Sequence, residues 1–151
     1  MLASAACGLI HSDMLIDTPA IADFLASVNG FSSIGADELG KLADQIEQRS
    51  YAAGAALLRK GDVGDNMHVI VRGRVRVLLS DGTGISRMVV HLGPRDLVGE
   101  MALLTGDKRN ADVIADEPTD TLIIDRRTLQ PLLREFPQLA RFLTEILGKR
   151  L

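Results

Sequence analysis

Glu100 and Arg109 are the two residues of this sequence whose types and spacing could do chemistry together. They sit near the two ends of the stretch GEMALLTGDKRNA, residues 99–111. Gly99 permits a sharp backbone turn and a close approach by a ligand. Glu100 through Leu104 can make one or two helical turns, and the free N–H groups of Met101 and Ala102 at such a start favour an anion. Arg109 supplies a planar, permanently charged fork suited to paired oxygens. Lys108, the Asn110 side chain and the backbone N–H groups of Asn110 and Ala111 add donors. Together these parts make a phosphate cradle.

A carboxylate beside a phosphate is repelled, so Glu100 needs another partner. The conflict resolves if the ligand carries a hydroxyl next to its phosphate, because a carboxylate accepts hydrogen bonds from a sugar hydroxyl. A nucleotide with one compact phosphate and a free 2′-hydroxyl satisfies both ends. Each residue alone also has a plain structural use. An acid in a first helical turn stabilises the helix dipole by about 0.3–1 kcal/mol without any ligand. Arg109 could equally pair with Asp107, Asp112 or Glu100 on the surface.

The bulk of the chain sets the frame for this stretch. Its 151 residues make one domain, and 46% are hydrophobic, so it can bury a sizeable core without a metal or disulfide. Aromatic residues are only 3% and the net charge is −3, which argues against nucleic-acid binding by bulk charge or by base stacking. The single cysteine, Cys7, excludes an internal disulfide and fits a reducing, cytoplasmic compartment. The opening MLASAACGLI lacks the basic start of a secretion signal. No run approaches the ~18 apolar residues of a membrane span.

Helical periodicity marks both ends. Ile21, Phe24, Leu25 and Val28 share a face, as do Leu39, Leu42, Ala43 and Ile46, with the pattern running to about Ser50. Between Tyr51 and Asp125 the texture becomes glycine-punctuated apolar runs: 55–58, 67–71, 75–79, 88–92, 111–115 and 121–124. Short strands at such spacing predict a β-sandwich or barrel. Asp81-Gly82 signals a hairpin. Thr128 can cap a helix with Pro131 in its first turn, and a second amphipathic helix follows Pro137.

The 99–111 stretch resembles the phosphate-binding cassette of cyclic nucleotide-binding domains, roughly G-E-(L/I)-A-L-L, a spacer, then (P)-R-(A/S)-A. The upstream glycines Gly61, Gly64 and Gly73, with Asp65, Ile70 and Val75, fit the same family, as does Leu92-Gly93-Pro94 before Asp96–Glu100. The resemblance runs from about Phe24 to Leu151. It implies a mainly β fold, a double-stranded β-helix (jelly-roll-like β-roll) of about eight strands with N-terminal and C-terminal helices. It divides the chain into an extension over 1–20 and a cyclic nucleotide-binding domain over 21–151. The ligand it implies is cAMP or cGMP. Arg109 would hold the cyclic phosphate with the N–H groups of Ala111 and the Met101-Ala102 turn, and Glu100 the ribose 2′-hydroxyl. Val89 and Val98 are candidates for apolar contact with sugar or base.

Lys108, Asn110 and Asp112 depart from the family pattern. Asn110 leaves cAMP against cGMP open, and Asp112 would weaken anion binding unless it points away or is paired. The reading is a non-enzymatic regulatory module of a bacterial cytoplasm, passing ligand binding through its C-terminal helices to an effector domain or protein, with homodimerisation possible. The alternative is a degenerate domain that keeps the fold as a protein-contact scaffold. His11, His68 and His91 do not cluster, so no metal is expected and the histidines read as surface or core-edge residues. Arg72, Arg74 and Arg76 alternate as if on one strand face. With no helix-turn-helix following the last helix, direct DNA binding is not expected, and neither is a membrane partner.

Overall fold

The computed structural model describes residues 16–80 and 86–150. Two helices, α1 (Thr18–Ala26) and α2 (Ala36–Asp44), precede eight strands: β1 (Glu47–Tyr51), β2 (Ala56–Leu58), β3 (Asn66–Arg72), β4 (Val75–Ser80), β5 (Ser86–Leu92), β6 (Leu97–Val98), β7 (Asp112–Ala115) and β8 (Thr119–Asp125). A short helix, α3 (Glu100–Thr105), interrupts them after β6, and α4 (Arg126–Glu135) and α5 (Pro137–Arg150) close the described chain. The strands form two antiparallel four-stranded sheets, ordered β1-β8-β3-β6 and β2-β7-β4-β5. That interleaved order is the jelly-roll-like β-roll expected from the sequence.

Period-two alternation decides which core each strand serves. Along β3, Met67 and Val69 face the helices and join Leu25, Phe31, Leu122, Leu129, Leu139 and Leu143 in one apolar cluster. Ile70 faces the other way, into the roll, with Val75, Val98, Val113 and Ala115. The β1-β8-β3-β6 sheet is therefore covered on one side by helices and lines the roll on the other. The 99–111 stretch follows directly on Val98, a member of this second, interior cluster.

Several local expectations change. The helical pattern that runs to Ser50 stops at Asp44, because Glu47–Tyr51 pairs with β8 as a strand from Glu47↔Ile123 to Tyr51↔Thr119. The last helices begin earlier than Thr128: Asp125 is the cap, its side chain accepts the Thr128 N–H at 2.7 Å, and Pro131 lies inside α4. The Thr128 N–H holds the Asp125 carboxyl below its usual pKa. Arg72, Arg74 and Arg76 do not share a strand face. A turn at Gly73 separates β3 from β4, Arg72 pairs with Asp120 and Arg76 with Asp116. The Asp81-Gly82 hairpin signal lies outside the described residues, as do residues 1–15, although β4 and β5 pair antiparallel down to Ser80↔Ser86.

Gly30 fixes the seat of the last helix. Its φ is +87°, a region side-chain-bearing residues rarely adopt, and a Cβ there would lie 2.3 Å from the Phe142 ring. Gly30→Ala is expected to lower unfolding stability by about 2–4 kcal/mol, from backbone strain plus displacement of Phe142. A urea titration showing a loss below about 0.5 kcal/mol, the level of a neutral surface change, would refute this.

Candidate functional site

Strand β6 delivers the chain to Gly99, whose φ of +87° turns it abruptly into α3. A side chain there would fail twice: the conformation is left-handed, and its Cβ would lie 2.8 Å from Arg109 Nη1. Glu100 starts α3 and is only 1% exposed. Arg109 arrives from the other end of the stretch and is pinned by its backbone to the loop after β2. Its N–H donates to Asp62 O at 2.8 Å, and its carbonyl accepts the Gly61 N–H at 2.8 Å. Val63 and Lys108 form a β-bridge beside them, which ties the two segments together.

Arg109 is 7% exposed. Nη1 donates to Gly99 O at 2.9 Å, and Nη2 donates to Asn66 O at 2.9 Å and to Asn66 Oδ1 at 2.8 Å. Burial lowers its pKa, while the charges of Asp65, Asp62 and Glu100 raise it. An arginine stays charged under these opposing effects. The surface pairing with Asp107 or Asp112 is not what forms. Asp112 turns away: its Oδ1 accepts the Lys60 N–H at 2.7 Å.

Arg109, Glu100, Gly99, Ala102, Asn110, Ala111 and Val98 all line one cavity. The space between them, open solvent at its entrance included, is about 580 Å³. The rest of the lining is apolar, from Leu58, Val77, Leu79, Val90 and Val113. One end can thus hold an anion, and the rest can take an apolar or aromatic body.

Comparison with known proteins bears on what this cavity takes. The sequence pattern of the cyclic nucleotide-binding domain matches residues 48–136, more than half of the chain. The chain belongs to the cyclic nucleotide-binding domain family. It is 31% identical over 121 residues to the cyclic AMP receptor protein of Thermus thermophilus, covering 80% of this chain and 56% of that one. It is 33% identical over 128 residues to cGMP-dependent protein kinase, isozyme 2 forms cD5/T2, of Drosophila melanogaster, covering 83% of this chain and 14% of that one. In three dimensions it resembles the regulatory domain of Toxoplasma gondii PKA crystallised with cAMP, with a TM-score of 0.80 and 25% identity over 87% of this chain and 50% of that one. The chain spans about half, or less, of the length of these relatives.

Within this cyclic nucleotide-binding domain, two of the expected site residues escape description at the side chain. Val89 is the extra residue of a bulge in β5, between Val90 opposite Val77 and Met88 opposite Leu78, and its side chain lies outside those described, as does that of Met101. Asn66 is the partner that sequence reasoning missed. It lies 43 positions from Arg109, and the Asp65-Asn66 pair carries no signal beyond a loop before a strand. Among the described residues no cluster of His, Cys, Asp or Glu could hold a metal ion.

His68 is neither surface nor core-edge. It lies in β3, 2% exposed, with Nε2 3.2 Å from the Tyr51 hydroxyl. Burial, then the positive charges of Arg109 and Arg49, pushes its pKa down to about 3. It is therefore neutral in the folded state near pH 7, and protonates readily once unfolded. Stability contributed by a neutral His68 is complete above its ordinary pKa of about 6.5 and is lost as pH falls toward about 3. His68→Phe is expected to flatten the decline in unfolding free energy between about pH 6 and 4 by ~1 kcal/mol per pH unit. Parallel urea-derived stability profiles for variant and parent would show that His68 does not carry this acid sensitivity.

Proposed function

We propose that the cavity binds cAMP or cGMP and that the chain is a non-enzymatic regulatory module. The observation that carries this is the buried Arg109 guanidinium at the head of the cavity, with buried Glu100 on the same lining. Arg109 takes the cyclic phosphate, joined by the N–H groups of Ala111 and the Met101-Ala102 turn. Glu100 takes the ribose 2′-hydroxyl. The base lies along the apolar wall that includes Val98 and Val90. Asp112 is not among the residues that line the cavity, and its carboxylate accepts the Lys60 backbone N–H, which directs its charge away from the phosphate.

The relatives' names support a signalling role, since one is a cyclic AMP receptor protein and another a cGMP-dependent protein kinase. In this chain α4 and α5 carry the ligand state to an effector domain or protein, in a cytoplasmic setting. Ligand at about 100 times its Kd adds ~2.7 kcal/mol of apparent stability, roughly 5–10 °C in melting temperature for a domain of this size. Thermal melts with cAMP or cGMP should show that rise, and Arg109→Ala should abolish it. Unchanged melts with either nucleotide at millimolar concentration would leave the scaffold reading in place. Calorimetric titration with both nucleotides then decides which one is preferred.

A further inference from the structure

Arg126 stands outside the cavity, yet it touches both halves of the cradle. It is the first residue of α4, and its backbone N–H donates to Asp65 O at 2.8 Å. Its Nη2 donates to Gly64 O at 3.2 Å and to Ala102 O at 3.3 Å. Ala102 belongs to α3, the turn that follows Gly99. Gly64 belongs to the loop that holds Arg109.

Gly64 has no room to move alone. A Cβ on it would lie 2.7 Å from Arg109 Cζ and Nη1 and 2.7 Å from the Ala102 Cβ. The Arg109 guanidinium, Gly64, Ala102 and the Arg126 guanidinium therefore form one contiguous stack that ends on α4. Contacts this tight pass displacement on rather than absorb it. Arg126 Nε is buried and has no hydrogen-bond partner among the described residues. A donor left unmet is costly, so this guanidinium gains wherever a shift brings it an acceptor.

We propose that Arg126 is a positioning residue: it reads the position of Arg109 through Gly64 and Ala102 and sets the seat of α4, and with it α5. The apolar route between the same elements, through Leu103, Leu129, Leu132 and Leu143, is non-directional and tolerates sliding. Hydrogen bonds from the single Nη2 to two carbonyls, one on each segment, tie Arg126 to both at fixed distance. The nucleotide arm of the test rests on the proposed function. The arm without nucleotide does not.

The test is amide hydrogen exchange on the full chain, read over residues 100–111 and over α4. Without nucleotide, Arg109→Ala is expected to speed exchange in α4 by about tenfold, and by less than about twofold in an Arg126→Gln background. An equal speeding in both backgrounds would overturn the proposal. Arg126→Lys, which keeps the charge and the backbone bond but not the fork, replaces the glutamine variant if that one does not fold, with the same two outcomes. With saturating cAMP or cGMP, the parent should show slowed exchange in 100–111 and an altered rate in α4. Arg126→Gln should keep the first and lose the second, and an undiminished α4 response in that variant would also refute the strut. Absence of nucleotide binding by the parent would defeat the proposed function, while the comparison without nucleotide still decides the role of Arg126.

Discussion

A buried guanidinium held by neutral oxygens is the constraint from which the rest of the site follows. Taking a cation out of water costs several kcal/mol unless its donors are met. Arg109 meets that cost with Gly99 O, Asn66 O and Asn66 Oδ1, helped at longer range by Asp65, Asp62 and Glu100. To bring those carbonyls within reach, the backbone must come up against the guanidinium on two sides. That is why glycines stand at 64 and 99, where any Cβ would sit under 3 Å from an Arg109 atom. Neutral His68 obeys the same rule, since burial, then the charge of Arg109, disfavours a second cation there.

The architecture places this cation where it can meet a ligand. The sheet that carries β3 and β6 is buried on both faces, and alternation sends Met67, Val69 and Leu97 to the helices but Ile70 and Val98 into the roll. The cavity is the part of the roll interior that these apolar side chains do not fill. Its wall is apolar because strand alternation makes it so, and its head is polar because Gly99 breaks the strand there. The polar head and the apolar wall thus come from one change of backbone direction.

What the sequence displayed was local, and what it hid was long-range. The stretch from Gly99 to Ala111 is contiguous, so the helix start, its acid and its arginine could be read together, and the apolar runs between glycines marked six of the eight strands. Strand β1 was hidden because Leu39, Leu42, Ala43 and Ile46 keep helical spacing almost up to Glu47, and a strand partner 76 positions away in β8 leaves no local trace (Glu47↔Ile123). Strand β6 is two residues long, too short for any period. Asn66 and Arg126 were invisible for a related reason. Their roles lie in carbonyls and amides of distant loops, and backbone groups have no letter in a sequence.

The prior engagement of Arg109 also bears on how a ligand could act. Three of the donors on its fork already serve Gly99 and Asn66, so an arriving phosphate finds a guanidinium fixed in place and loses little entropy ordering it. A fixed group favours affinity, but by itself it drives no change, because a ligand shifts an equilibrium only by binding one arrangement better than another. Movement must then come from what is tied to Arg109. Gly99 leads directly into α3, and Gly64 has no room for a Cβ beside the guanidinium and Ala102. On the proposal made above, an anion that draws Arg109 would act first on Gly99, Gly64 and α3, and through the Gly64 and Ala102 carbonyls on the helix end that Arg126 begins.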